Sequence, residues 1–402
     1  MDCSTDEFLQ YIEEEDIKFI RLQFCDVYGT PKNISVMQSD IKRALTTGIC
    51  INGTEIPGFD KESYSDVFLH PDPSTTALLP WRPDQGRVVR MFCDIRYQDD
   101  SAFPADTRYL LKQAVEKAKK LGIDFTFGTR IEFYLFKMDE EGEPTSIPCD
   151  KAGYMDIAPL DKCENVRREI CLTLERMGIT PVNSHHEAGP GQNEIDFKSA
   201  DPLKAADDTI TFISVVKTIA ARNGLYADFS PKPIADQPGN GFHINLNCEK
   251  DGKNDIVAQA IAGILDKIYD ITIFLNRCDD SYQRIGKGNA PRYISWSIEN
   301  RKQLIRVPQS GGKHHYAQLR SPDAFCNPYL VFALLIHASL EGIEKNMELM
   351  APTNFDLSDA SREVLSQLKH LPRTLDEAKD AARSSSFLKE VISESLIDSY
   401  CE

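Results

Sequence analysis

The densest chemistry in this chain lies in His185-His186-Glu187-Ala188-Gly189-Pro190-Gly191-Gln192-Asn193-Glu194-Ile195-Asp196-Phe197. Glu187 and Glu194 are separated by a Gly/Pro loop. Beyond it the residues alternate, Glu194 and Asp196 to one side, Ile195 and Phe197 to the other. That alternation predicts a half-buried strand with an acidic face. Carboxylates crowded against a sheet repel one another and resist losing water unless a cation lies among them. A divalent cation is therefore the chemistry this segment points to.

Other segments carry polar side chains at every second position. Arg130, Glu132 and Tyr134 share one face of the run 131–136 and its approach; His243, Asn245 and Asn247 share another; Gln318 and Arg320 share a third. An antiparallel sheet with one apolar, packed face and one polar face accounts for this pattern. The polar face then forms the floor of an open bowl. Arg284, Arg301, Arg306 and Lys313 fall around the last of these strands. Cations beside acids suit a site that holds phosphate and carboxylate together with a metal.

The elements that must position these residues follow from periodicity and punctuation. Residues 17–27 alternate as a strand and run into a turn at Tyr28-Gly29-Thr30-Pro31. Pro71, Pro73, Pro80 and Pro83 mark a region of short strands ending near Arg96. A helix is predicted from Asp106, as N-cap, to Leu121, with Gly122 as its stop. Further helices are predicted over 164–177, 201–223, 254–275 and 328–348. The expected fold class is α+β, with a small β-rich domain over residues 1–98 and a larger one over 99–402.

With 402 residues the chain has room for two or three domains and a large core. Its net charge of −16 argues against nonspecific binding to nucleic acid or an anionic membrane surface. No apolar run approaches the ~20 residues of a membrane span. The acidic start, Met1-Asp2-Cys3-Ser4-Thr5-Asp6-Glu7, does not read as a secretory signal, so a cytoplasmic location is expected. The eleven cysteines are scattered without a Cys-x-x-Cys pair and read as reduced packing thiols rather than a disulfide frame or zinc site.

Taken in order, several motifs resemble those of the bacterial type I glutamine synthetases. They are Gly128-x-x-x-Glu132-Phe133, His185-His186-Glu187 with Gly191-Gln192-x-Glu194, Pro231-Lys232-Pro233 and Gly239-x-Gly241-x-His243. Further on come Ser281-Tyr282-x-Arg284, Asn300-Arg301 with Ile305-Arg306-x-Pro308, and Leu319-Arg320-Ser321-Pro322-Asp323 followed by Asn327-Pro328-Tyr329-Leu330. The resemblance covers the chain from about Phe24 to Tyr400. It implies a β-grasp N-terminal domain and a larger catalytic domain with a curved antiparallel sheet. It also implies a homo-oligomeric ring, and an ATP-dependent reaction in which glutamate becomes a γ-glutamyl phosphate that an amine then displaces. Mg²⁺ or Mn²⁺ serves the family at two sites.

Carried over residue by residue, the resemblance makes Glu132, Glu187 and Glu194 the ligands of the first ion. Arg284, Arg320, Gly239 and His186 would contact the substrate; Arg306, Lys313 and Asn247 the nucleotide; Arg301 the transferring phosphate. The second ion's ligands fall at Arg130, His243 and Gln318, where the family has two glutamates and a histidine. The change from two carboxylates to a guanidinium and an amide adds a formal charge of +3. A hard dication wants anionic oxygens. Arg130 is therefore expected to take the place of this ion, paired with Glu132 or Glu187 or holding a phosphate in a bidentate fork.

The amine end departs as well. The family's ammonium-binding aspartate falls at Asn52, and the glutamate of its closing flap at Asn289. An amide is no general base near neutral pH and offers ammonium no charge partner. Pro238 stands where the family has a glutamate-contacting asparagine, and Tyr316 where it has a nucleotide-side arginine. The stretch 253–256 and the C-terminus are shorter than in the family, which favours a single ring over a double one. Two functions compete: an ATP-dependent ligase with changed amine specificity and weak or no ordinary glutamine synthesis, or an impaired pseudoenzyme that binds an anionic ligand or a partner protein.

Overall fold

The computed structural model describes residues 5–62, 66–253, 255–310, 313–314, 316–357 and 360–402; at 5, 309–310, 313–314, 362 and 367 it describes the backbone only. Lys313 therefore contributes a backbone position, and its side chain lies outside the described residues. The chain divides into two compact units, one of Met1–Leu110 with Leu172–Ile179, the other of Leu111–Cys171 with Thr180–Glu402.

The first unit is built on strands β1 (Ile17–Cys25), β2 (Pro31–Met37), β3 (Ile49–Asn52), β4 (Asp66–Pro71), β5 (Ala77–Leu78) and β6 (Arg87–Arg96). Their order is β2-β1-β6-β4-β3, with β5 on β6. β1 and β6 run parallel, while the other pairs are antiparallel. This is a β-grasp arrangement, and its inward positions Ile20, Leu22, Val89 and Met91 are fully buried. The β1–β2 turn forms because Asp26 Oδ1 accepts from Tyr28 N and Thr30 N while Gly29 supplies a φ of 80°.

The helix α3 (Thr107–Lys120) starts where Asp106 Oδ1 accepts from Arg108 N, and Gly122 at φ 72° follows its end, as the sequence predicts.

The second unit centres on β7 (Ile123–Met138), flanked in the sheet by β10 (Gln192–Phe197) and β12 (Phe242–Lys250). Outward from β10 lies β9 (Pro181–His186); outward from β12 lie β17 (Ala317–Leu319), β14 (Ile305–Arg306) and β13 (Trp296–Ser297). β8 (Pro144–Pro148) and β11 (Leu225–Asp228) pair with the far end of β7. Gln309–Ser310 (β15) and Lys313–His314 (β16) make a separate ribbon. Apart from the parallel β13–β14 pair the large sheet is antiparallel.

Helices α5 (Pro202–Arg222), α6 (Val257–Leu275) and α8 (Pro328–Glu344) cover its apolar side. Phe133 of β7 meets Phe212 of α5 edge to face, and Phe127 stacks on Phe332 of α8 at 4.3 Å. The core thus takes one set of alternate β7 side chains and leaves Arg130 and Glu132 on the other. The helices α6 and α8 are shorter than periodicity suggests. Asp251 and Gly252 hold left-handed turns before α6, and Asn346 at φ 48° stops the chain from continuing α8. Cys149 and Cys163, read with the other cysteines as reduced thiols, bring their sulfur atoms together in the fold. Spacing alone does not show this, because a β8 exit and the turn before α4 (Glu164–Arg176) meet only in the fold. Among the described residues no helix is long and apolar enough to cross a membrane.

Candidate functional site

Strand register brings the charged residues together. Glu194 lies directly opposite Glu132, and Asp196 directly opposite Arg130, across the β10–β7 ladder. On the other side of β7, His243 lies opposite Arg130. Farther out, Gln318 is opposite Asn245 of β12 and Arg306 of β14. Part of this set forms the floor of an open cavity of about 710 Å³ whose lining includes Arg130, Glu132, Glu187, Glu194, His243 and Arg320. Gly239, Arg284, Asn289 and Arg301 also line it, together with Lys232 and Lys287.

The carboxylates are held by few but specific contacts. Glu132 Oε2 accepts from Gly241 N at 2.8 Å and Glu132 Oε1 from His243 Nε2 at 3.2 Å. Burial opposes ionisation of Glu132, but these hydrogen bonds and the nearby Arg284 outweigh it and hold the carboxyl below its usual range. Glu194 goes the other way. Burial, and then the charge of Glu132, push it up to about 7 against the pull of Arg130. Burial and the neighbouring Arg320 hold the His243 imidazole down at about 4, so at neutral pH it is an uncharged donor to Glu132.

Ligand atoms of Glu132, Glu194 and His243 lie within 4.8 Å of one another, as do those of His185, Glu187 and Glu194. Each cluster offers two carboxylates and one imidazole, with Glu194 common to both, a donor set that fits a divalent cation. His185, rather than the expected His186, faces these carboxylates. The register places His185 opposite Glu194, with Nε2 3.0 Å from Glu187 Oε1 and 3.7 Å from Glu194 Oε1. His186 points the other way and does not line the cavity; it is 1% exposed, with Nε2 3.0 Å from Asp150 Oδ1. Gln192, on the loop side, donates from Nε2 to Gly239 O and to Asn240 Oδ1, both at 3.2 Å, and so ties the loop to the strand bearing His243.

The place bounded by Arg130, His243 and Gln318 does not fit a second dication. Arg130 donates to Glu194 through Nη2, and its Nε lies 3.8 Å from Asp196 Oδ2. The expected partners Glu132 and Glu187 are thus corrected to Glu194 and Asp196, because the diagonal and direct neighbours of position 130 on β10 are residues 194 and 196. Gln318 is wholly buried and occupied at both ends: Nε2 donates to Asn245 Oδ1 at 3.0 Å and Oε1 accepts from Arg320 Nη1 at 2.8 Å.

The remaining expected residues are dispersed. Arg284 is buried and donates to Ser321 O and Pro322 O. Asn247 donates to Glu249 at 3.2 Å and, like Arg306, does not line the cavity. Asn52 closes β3 in the first unit, where Oδ1 accepts from Thr54 N at 3.1 Å. Asn289 sits on the cavity-lining stretch Lys287-Gly288-Asn289-Ala290.

The family model for the glutamine synthetase catalytic domain matches residues 104–402, and that for the glutamine synthetase β-grasp domain matches residues 16–98. A glutamine synthetase of Methanosarcina mazei is 42% identical over 99% of this chain and 93% of its own length. One of Clostridium saccharobutylicum is 40% identical with the same coverage. Among solved structures, a GmaS/ADP complex superposes with a TM-score of 0.87 at 25% identity, covering 98% of this chain and 94% of that one. Plasmodium falciparum glutamine synthetase superposes equally well, at 0.87 and 21% identity over 99% of this chain and 94% of its own, a likeness of fold. With both domain models matched in order and such identity along the whole chain, this protein belongs to the glutamine synthetase family.

Proposed function

We propose that this chain is an ATP-dependent carboxylate–amine ligase that forms a γ-glutamyl amide through an acyl phosphate, with its amine specificity turned away from ammonium. Membership of the family supports the ATP-dependent glutamate–amine ligase class and the use of Mg²⁺ or Mn²⁺. The observation that carries the finer reading is the cavity's charge asymmetry. Its floor keeps Glu132, Glu187 and Glu194 beside Arg284, Arg301 and Arg320, while the lining loop presents the neutral Asn289 where proton acceptance from ammonium is needed. An amine that arrives uncharged needs no group to take an ammonium proton beforehand, and the one N–H proton it sheds on forming the amide leaves with the displaced phosphate as hydrogen phosphate.

In this reading Glu132, Glu187 and Glu194 hold one dication that orients the acyl donor. Arg284, Arg320 and Gly239 position a glutamate-like acid, and His186 acts beneath them through Glu187. Arg301, with Arg306, Lys313 and Asn247, serves the nucleotide's phosphates. The domain boundary falls at 98/99, the assembly is a homo-oligomeric ring, and the protein works in the cytoplasm.

One observation favours a second reading. Glu194, a ligand in the first scheme, already has a cation partner in Arg130. A site whose acids are neutralised internally suits a pseudoenzyme that binds an anionic ligand without turnover. ATP-dependent phosphate release with glutamate and Mn²⁺, tested across ammonium, hydroxylamine, methylamine, ethanolamine and polyamines, separates the two. Turnover with one of the organic amines, lost in Glu187→Ala, is the expected result. Folded protein silent with every amine overturns the ligase reading.

A further inference from the structure

Arg130 sits at the middle of the polar floor, between an acid pair on β10 and the imidazole of β12. Its Nη2 is committed to Glu194, but its Nε is buried and donates to no described acceptor. The same holds for Nε of Arg306 and Nε of Arg320, each buried and without a hydrogen-bond partner. Arg320 lines the same cavity as Arg130 and Arg301. Arg130 and Arg320 each keep an unused N–H there. Buried donors of a folded protein are satisfied, so unused ones that converge mark where a ligand's acceptor atoms belong.

The same place rejects a metal ion. Nδ1 of His243 is the one uncommitted ligand atom among Arg130, His243 and Gln318. A fixed guanidinium stands opposite it. Charge accounting agrees. Two carboxylates with a dication sum to zero; Arg130 with Gln318 gives +1 with no ion at all. A guanidinium fork also matches phosphoryl oxygens in shape, which a spherical ion does not require.

We propose that Arg130 is the resident cation of this site, replacing a second metal ion, and that with Arg301 it binds the phosphoryl groups of a nucleotide directly. This rests on the ATP-dependent reading of the site, but its test needs no turnover. Glu194 acts as the keeper of Arg130, holding the guanidinium in the floor until a phosphoryl ligand engages it.

The experiment counts Mn²⁺ per chain by native mass spectrometry with ADP present, and measures ADP affinity by calorimetry with and without EDTA. Wild-type protein should bind one Mn²⁺ per chain and should keep measurable ADP binding in EDTA. Arg130→Gln should weaken that metal-free ADP binding at least tenfold, and Arg130→Lys, which keeps charge but loses the fork, should fall between. The double change Arg130→Glu with Gln318→Glu should raise the count to two Mn²⁺ per chain. Two Mn²⁺ on the wild type overturn the proposal. So does Arg130→Gln binding ADP as tightly as wild type; and should that variant fail to fold, wild-type affinity in Arg130→Lys counts equally against it. One Mn²⁺ with Arg130-dependent ADP binding, but no phosphate release with any amine, would sink the ligase reading and leave this one standing.

Discussion

Glu132 and Glu194 face each other directly across the β7–β10 ladder, two carboxylates in one cross-strand pair. Like charges so placed destabilise a sheet. Glu132 is stabilised by Gly241 N–H and His243, which leaves Glu194 to carry the strain, and its pKa rises to about 7. Arg130 relieves it only in part. A dication is the missing partner, so binding should stabilise the fold. At about 100 times its dissociation constant, Mn²⁺ should add about 2.7 kcal/mol to the unfolding free energy. Glu187→Ala should lose most of that gain while unfolding normally without metal. An equal gain in both proteins would remove Glu187 from the ligand set.

The amine end gives a second prediction. If Asn289 is what removes ammonium chemistry, Asn289→Glu should restore it. A positioned general base contributes roughly 10²–10⁴ in rate, so ammonium-dependent phosphate release should rise about a hundredfold, with a smaller change for the preferred organic amine. Steady-state kinetics over both amines decide the matter. No rise with ammonium would place the defect elsewhere, the altered floor at Arg130 and Gln318 being the next cause.

Much of this site is legible in the chain because β-strand alternation is a strong signal. The residues Arg130, Glu132, His243 and Gln318 were placed on one polar face by period-two spacing, and the register puts them there. Which histidine of the 185–186 pair faces the site is not legible. Neighbours on a strand point to opposite sides, and a one-residue slip of β9 on β10 exchanges them. The spacing gives no register, so His186 was favoured and His185 is the one beside Glu187 and Glu194. Partner choice for Arg130 failed for the same reason: strand order sets which acids lie across from it. The Cys149–Cys163 pairing escaped because it depends on where two loops meet.

A bond between Cys149 and Cys163 would close a loop with a sequence separation of 14 residues. Within the loop Asp150 is the organising group, and it accepts from Gly191 N at 2.9 Å at the far end of the Glu187 turn. Restricting a loop of about 15 residues in the unfolded chain is worth ~3 kcal/mol. Cys149→Ser with Cys163→Ser should cost about that much in urea unfolding of the oxidised protein. Prior treatment with a dithiol reductant should erase the difference. A reductant-insensitive wild type would show that the two sulfurs are not bonded in solution.

Asp150 and His186 supply a pH-dependent prediction with two limbs. Burial disfavours the Asp150 carboxylate, but hydrogen bonds from His186 and Lys162 N outweigh it and pull the carboxyl from its ordinary 3.8 down to about 2. Its contribution is therefore complete above about pH 4 and lost as pH falls toward 2. His186 behaves oppositely. Burial lowers its affinity for a proton, yet its Nε2 faces Asp150 and its Nδ1 lies 2.6 Å from Glu187 O, so both ring nitrogens meet acceptors and the pKa is raised above 6.5. That contribution is complete below pH 6.5 and drains away as pH rises through the shifted value. The pair should thus stabilise the fold most between about pH 4 and 6.5. Breaking one partner of a buried ion pair costs about 3–5 kcal/mol, so Asp150→Asn should lose about 3 kcal/mol at pH 5.5 and visibly less at pH 8.5. Equilibrium unfolding at the two pH values measures this directly. A cost that is the same at both would mean that His186 is neutral throughout, and that Asp150 serves only as an acceptor for the backbone N–H groups of Lys162 and Gly191.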